Sequence, residues 1–303
     1  MRRKDIDGIS GLMIVYMIFV HIVNFTHTGN FFVVLMRPLF FFMPWFFFKS
    51  GMFFFHKSNN QMFLEGKKLL YPYVKYSLYG IIVWSVILFF YGETSWVKYI
   101  LSPFYQILKE GAVMGNLPLW FLASLFVAKL MYNAICSQKY YLTLLFLCII
   151  AAYILDVINC NYIVWFGNIL SGLFFLGMGH LLKDVQYKKI VFIISTLFYV
   201  AYLSIPSLFS NVDMRANHCN HGYYLLYVLG SLSGIIMINN IFYYLPQNTS
   251  ILHAIGSKSM NYYVIHYLLL EVVILFSNKI FHVDIDSLSV SYTHLRAHET
   301  CAD

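Results

Sequence analysis

His21 is the first residue that needs explaining. It lies in the apolar run GISGLMIVYMIFVHIVNF, residues 8–25, which is long enough to cross a bilayer. An ionisable side chain inside such a run is costly and usually faces a cavity or a partner. An imidazole titrates near neutrality, so it can take a proton from a hydroxyl or carry a group transiently. The alternative is a histidine packed between helices through one hydrogen bond. Asp7 precedes it by fourteen residues. That is about 21 Å along a straight helix and nearly on the same face, so the two cannot touch. Asp7 therefore reads as a cap for the helix start or as a contact for a group at that end.

A second cluster interrupts the aromatic run FFFMPWFFFKSGMFFFHK with Lys49, Ser50 and Gly51. Lys49 can snorkel to the interface or bind an acidic ligand. Pro44 permits a kink, and Gly51 permits close helix packing. His266 sits in NYYVIHYLLLE with Glu271 five residues on, sharing a helix but not closely a face. It reads as a second polar cavity residue or as a structural hydrogen-bonding one. Asp156 and His180 fall near span ends, where they can simply face water. The loop string NHCNH lacks the spacing of a zinc site and reads as ordinary loop polarity. No metal is expected.

The elements that must position these residues are membrane helices. The chain is 60% hydrophobic and 11% charged, against about 25% charged in soluble domains. The expected fold class is all-α, a polytopic transmembrane bundle. The expected spans are 6–25, 39–55, 69–91, 119–136, 141–157, 164–182, 190–205, 223–245 and 260–276. Two loops between spans are long, 92–118 and 206–222. The first holds WVKYILSPFYQILKE, whose apolar residues can lie on the membrane surface or roof a cavity. The balance of 20 Lys+Arg to 13 Asp+Glu marks loops rather than a nucleic-acid stripe. Arg2, Arg3, Lys4, Lys57, Lys67, Lys68, Lys139, Lys183, Lys188, Lys189 and Lys258 fall on the N-terminal side of the membrane, which predicts a cytoplasmic N-terminus. No small-residue cleavage site follows the first run, so it reads as an uncleaved span. Cys136, Cys148 and Cys160 read as packing residues.

The last residues, VSYTHLRAHETCAD, are polar and unlike what precedes them. They resemble translated sequencing-adaptor DNA. The expectation is an integral-membrane domain over 1–288, a non-native tail over 289–303 and a natural chain that continues past Leu288. His294, His298 and Cys301 are set aside as metal ligands on this ground.

Six strings occur in order: DIDGISGLMIVYMIFVH, MPWFFFKSGMFF, KKLLYPY, LPLWFLASLF, LFFLGMGHLLK and NYYVIHYLL. Together they resemble the integral-membrane acyltransferase-3 family, which includes bacterial O-acetyltransferases of surface polysaccharides. The resemblance implies a bundle of about ten helices, of which about nine are expected here. It implies an acyl-CoA donor, most simply acetyl-CoA, on the cytosolic side of the bacterial inner membrane. It also implies an envelope polysaccharide or glycolipid acceptor at the outer face. Its first-span histidine and aspartate fall on His21 and Asp7, its serine-glycine motif on Ser50 and Gly51, its tryptophan-phenylalanine pair on Trp120 and Phe121, and its late histidine on His266. The catalytic set it implies is His21, Asp7, Ser50 and His266. The donor-binding set is Lys49, Lys67, Lys68, Lys75 and Trp120, where the lysines meet CoA phosphates as point charges. The last three lysines are equally explained as topology markers. Many members carry Arg or Lys eleven residues before the histidine, where this chain has Ser10, and Lys49 is a candidate for the missing charge. The competing class is a non-enzymatic transporter or flippase of glycan or lipid precursors, which many spans and buried polar residues would also fit.

Overall fold

The computed structural model describes residues 3–26, 37–158, 164–208, 212–218, 223–245 and 250–280. The tail expected over 289–303 lies outside the described residues, as do Cys160 and residues 219–221 of the NHCNH string.

The described chain is helical with no strand. Its helices are α1 (Lys4–Thr26), α2 (Phe42–Met52), α3 (Asn59–Phe90), α4 (Trp96–Glu110), α5 (Trp120–Ile135), α6 (Tyr141–Val157), α7 (Val164–Leu182), α8 (Lys189–Leu203), α9 (Tyr224–Tyr244), α10 (Ser250–Ser257) and α11 (Ser259–Ile280). Six helices, α1, α3, α5, α7, α9 and α11, are long and apolar enough to cross a membrane, and α6 and α8 are shorter apolar helices.

Two packing groups form the bundle. α7 carries α2, α5 and α6, while α1 carries α9, α10 and α11. On α1, Ile6, Ile9, Met13 and Met17 recur at helical spacing and are buried. The outward faces are equally apolar. Leu78, Ile82, Val86 and Phe89 of α3 are exposed, as are Leu142, Phe146, Ile150 and Ile154 of α6. Such continuous apolar stripes are what a lipid-facing surface requires and what a soluble monomer avoids.

The run 39–55 differs from the expected span. A 3₁₀ turn, Arg37–Leu39, leads into it, and its helix has only 11 residues. Eleven residues rise about 16 Å, half of a bilayer core of about 30 Å. Pro44 is the third residue of α2, in the first turn, where a missing N–H costs no ladder bond; it starts the helix rather than kinking it. α2 is a buried element: Trp45, Phe47 and Phe48 are fully covered. Trp45 Nε1 donates to Asn239 Oδ1 at 2.9 Å, and Asn239 Nδ2 donates to Gln186 Oε1 at 2.8 Å. Gly51 has the expected role, since a Cβ there would stand 1.8 Å from the Leu176 carbonyl oxygen of α7.

α4 is the helix expected to lie on the surface. Trp96, Ile100, Phe104 and Leu108 are exposed along it. Gly111 ends it at φ 73°, a left-handed cap, which leaves Glu110 at its last turn to reach the loop 212–218.

Candidate active site

Two of the bundle's cavities meet at the middle of α1, where Ile14 faces one and Met17 the other. The distal one, about 350 Å³, is lined by His21, Trp120, Pro118, Arg215, Tyr263 and Tyr267, with others. The proximal one, about 360 Å³, is lined by Lys49, Ser50, Lys57, Lys129, Glu65 and Tyr263, with others.

At the distal cavity α1 meets α11. The rings of His21 and His266 lie 5.2 Å apart at 38°, and Tyr267 sits edge-on to His21 at 5.3 Å. His266 Nδ1 is 2.7 Å from the Tyr263 carbonyl oxygen one turn back. A carbonyl can only accept, so that nitrogen carries the proton and Nε2 is bare. Nε2 is buried and has no hydrogen-bond partner among the described residues. In this tautomer the Nε2 lone pair of the His266 imidazole can accept a hydrogen bond.

The rim of this cavity is a built loop. Asp213 Oδ1 accepts from the backbone N–H of Arg215 at 2.8 Å, and Asn168 Nδ2 donates to the Arg215 carbonyl at 2.9 Å. Asn217 turns the chain at φ 50°, a conformation asparagine tolerates. Its amide donates to the Ala152 carbonyl at 2.8 Å, and its Oδ1 accepts from the Tyr224 hydroxyl at 2.7 Å. The Arg215 guanidinium pairs with Glu110 of α4 and lies 3.7 Å from Asp213. Burial pulls its pKa down, but Asp213 and Glu110 more than reverse that, so the net shift is upward and the group stays charged.

The proximal cavity is cationic. Lys49 Nζ donates to Ser10 Oγ at 2.7 Å, and Ser10 Oγ donates to the Ile6 carbonyl at 2.6 Å. The ammonium of α2 therefore stands against α1 at the position where the sequence lacks a basic residue. Asn133 pins the Lys57 backbone at both ends, with Lys57 N–H to Oδ1 and Nδ2 to the Lys57 carbonyl each 3.0 Å. The Lys57 side chain pairs with Glu65. Three lysines face one carboxylate, which suits an anionic ligand.

A family model described as an acyltransferase domain, the acyltransferase-3 model, matches residues 3–291. The chain belongs to the acyltransferase-3 family. It is a membrane acyltransferase. No curated protein and no solved structure matched it.

In this acyltransferase the expected site residues divide between the two cavities. His21 and Trp120 line the distal cavity, and His266 packs on His21. Lys49 and Ser50 line the proximal one. Trp120 is thus placed apart from the cavity lysines. Lys67 and Lys68 are exposed on α3, with the Lys67 ammonium 4.9 Å from the Phe63 ring centroid. Lys75 lies 5.5 Å from the Tyr76 ring centroid and outside both cavities. Asp7 is buried beneath α10, with its Oδ2 3.5 Å from His253 Nε2. That approach depends on Gly256, where a Cβ would stand 1.7 Å from the Asp7 carbonyl oxygen.

Four residues of these sites escaped the sequence reading. Lys129 carried a usable signal, since a lysine inside an apolar span is a functional candidate by default. Lys57 and Arg215 looked like loop charges, and Tyr263 looked like one aromatic among many. Among the described residues no three His, Cys, Asp or Glu side chains converge on a metal-sized site. His218 of the NHCNH string is instead 3.0 Å from Asp156 Oδ1.

Proposed function

We propose that this acyltransferase moves an acetyl or similar acyl group from cytosolic acyl-CoA to a hydroxyl of a cell-envelope polysaccharide or glycolipid. The observation that carries this reading is the pair of adjoining cavities, one lined by lysines and the other by an imidazole. CoA phosphates meet Lys49, Lys57 and Lys129 on the cytosolic side, and the acceptor enters beneath Arg215. The excess of Lys and Arg at the proximal end supports a cytoplasmic N-terminus in a bacterial inner membrane.

The reaction is an acyl transfer from sulfur to oxygen. The acceptor hydroxyl oxygen attacks the thioester carbonyl, and its proton passes to the His21 imidazole. The C–S bond then breaks, and the CoA thiolate leaves with that proton. His266, fixed by its bond to the Tyr263 carbonyl, holds His21 from behind. Ser50 lines the donor cavity and acts on donor placement rather than on the proton, whereas Asp7 lines neither cavity and acts through its packing under α10.

The test is to supply membranes containing the protein with acetyl-labelled acetyl-CoA. Label recovered on glycan supports transfer. Movement of unmodified glycan across the membrane without label incorporation supports the transporter reading and removes this one.

A further inference from the structure

Among the described residues, Tyr263 alone lines both cavities. Around it each neighbouring element changes sides within one helical turn. Ile14 faces the proximal cavity and Met17 the distal one, and Phe121 faces the proximal cavity and Trp120 the distal one. Phe46, Phe121 and Tyr263 form an aromatic collar at this waist. Phe121 lies 5.9 Å from the Phe46 ring at 59° and 5.5 Å from the Tyr263 ring at 69°.

Tyr263 is held at both ends. Its hydroxyl donates to the Pro118 carbonyl, and its own carbonyl accepts from His266 Nδ1 at 2.7 Å. One residue further, the Val264 carbonyl accepts from Asn116 Nδ2 at 3.1 Å. The LPLW segment and α11 are thus stitched together across the waist, and Tyr263 is 5% exposed. Single-residue separation of two cavities is what keeps water on the acceptor side from reaching a thioester on the donor side.

We infer that Tyr263 is the partition between donor and acceptor chambers, that its ring prevents wasteful attack of water on the donor while no acceptor is bound, and that it swings aside to let the thioester meet the hydroxyl at His21. The functional half of this inference rests on the acyl-CoA reading above; the partition itself does not. Without the ring, the vacated space exceeds the roughly 15 Å³ that one water needs. The unwanted step then balances as acyl-CoA plus water giving the free acid and CoA thiol.

Two readouts on purified protein in proteoliposomes test this. The first is proton leak, followed with an entrapped pH dye after a pH step, which needs no acyl donor. Tyr263→Ala is expected to raise the leak well above that of the wild type, and Tyr263→Phe, which keeps the ring and loses only the Pro118 bond, is not. The second is acceptor-independent hydrolysis of acetyl-CoA, expected to rise about tenfold in Tyr263→Ala, or about 1.4 kcal/mol off that barrier. If Tyr263→Ala does not fold, Tyr263→Leu carries both assays. A folded variant without the ring that leaks no more than the wild type overturns the partition. A raised leak with unchanged hydrolysis upholds the partition and counts against the acyl-CoA reading instead.

Discussion

Replacing Lys49 with methionine isolates the charge in the proximal cavity. Methionine keeps most of the side-chain volume, so packing in α2 should change little, by less than about 1.5 kcal/mol. Ser10 Oγ retains its bond to the Ile6 carbonyl, so no buried donor is orphaned. What is lost is an ammonium 2.7 Å from Ser10 in the cavity proposed to take the anionic donor. A hydrogen bond to a charged group is worth about 1.5–3 kcal/mol. That range corresponds to a rise of about tenfold to about a hundredfold in KM for acyl-CoA, with kcat much less affected. The assay is initial-rate acetyl transfer in proteoliposomes at varied acetyl-CoA, with thermal stability checked in parallel. Lys67→Gln and Lys68→Gln are the controls, because both side chains are exposed and outside the cavities. They should stay within about twofold of wild type, as solvated charges contribute little. The double variant Ser10→Lys with Lys49→Met returns an ammonium to the same spot from α1 and should recover part of the loss. An unchanged KM in Lys49→Met, or an equal effect from Lys67→Gln, refutes the placement of the donor site.

Other consequences can be checked with the same preparations. His266→Phe keeps a ring against His21 but removes both nitrogens, and kcat should fall about a hundredfold with KM for acetyl-CoA unchanged; an unaltered kcat would make His266 a packing residue. Gly51→Ala places a methyl group where the Leu176 carbonyl oxygen already stands, 1.8 Å away, so α2 must move from α7. Overpacking of this kind costs about 1–3 kcal/mol, and a clear drop in melting temperature should follow.

The limits of the sequence reading have a physical origin. A membrane helix must be apolar towards lipid and towards its neighbours, so the stripe that reveals the buried face of a soluble helix is absent. α1 illustrates this: its length and His21 were legible, but nothing in its pattern pointed to α10 and α11 as neighbours. Hence the pairing of Asp7 with His253 has no sequence signature. Lys49 was legible as a candidate for a charge absent at Ser10, and the structure places its ammonium 2.7 Å from Ser10 Oγ. The short α2 was misjudged because apolar length was equated with a span, whereas Pro38 and Pro44 confine the helix to the middle of that run. Division of the site into two cavities is a property of helix arrangement and has no sequence signature.

His21 is proposed to take the proton of the acceptor hydroxyl as that hydroxyl receives the acyl group from the donor. The most direct measurement compares wild type with His21→Ala in membranes supplied with acetyl-labelled acetyl-CoA, after confirming equal protein levels and equal thermal stability. Loss of a general base lowers rates by about 10²–10⁴-fold, so glycan-bound label should drop to near background. Normal labelling by an intact His21→Ala protein would contradict the account.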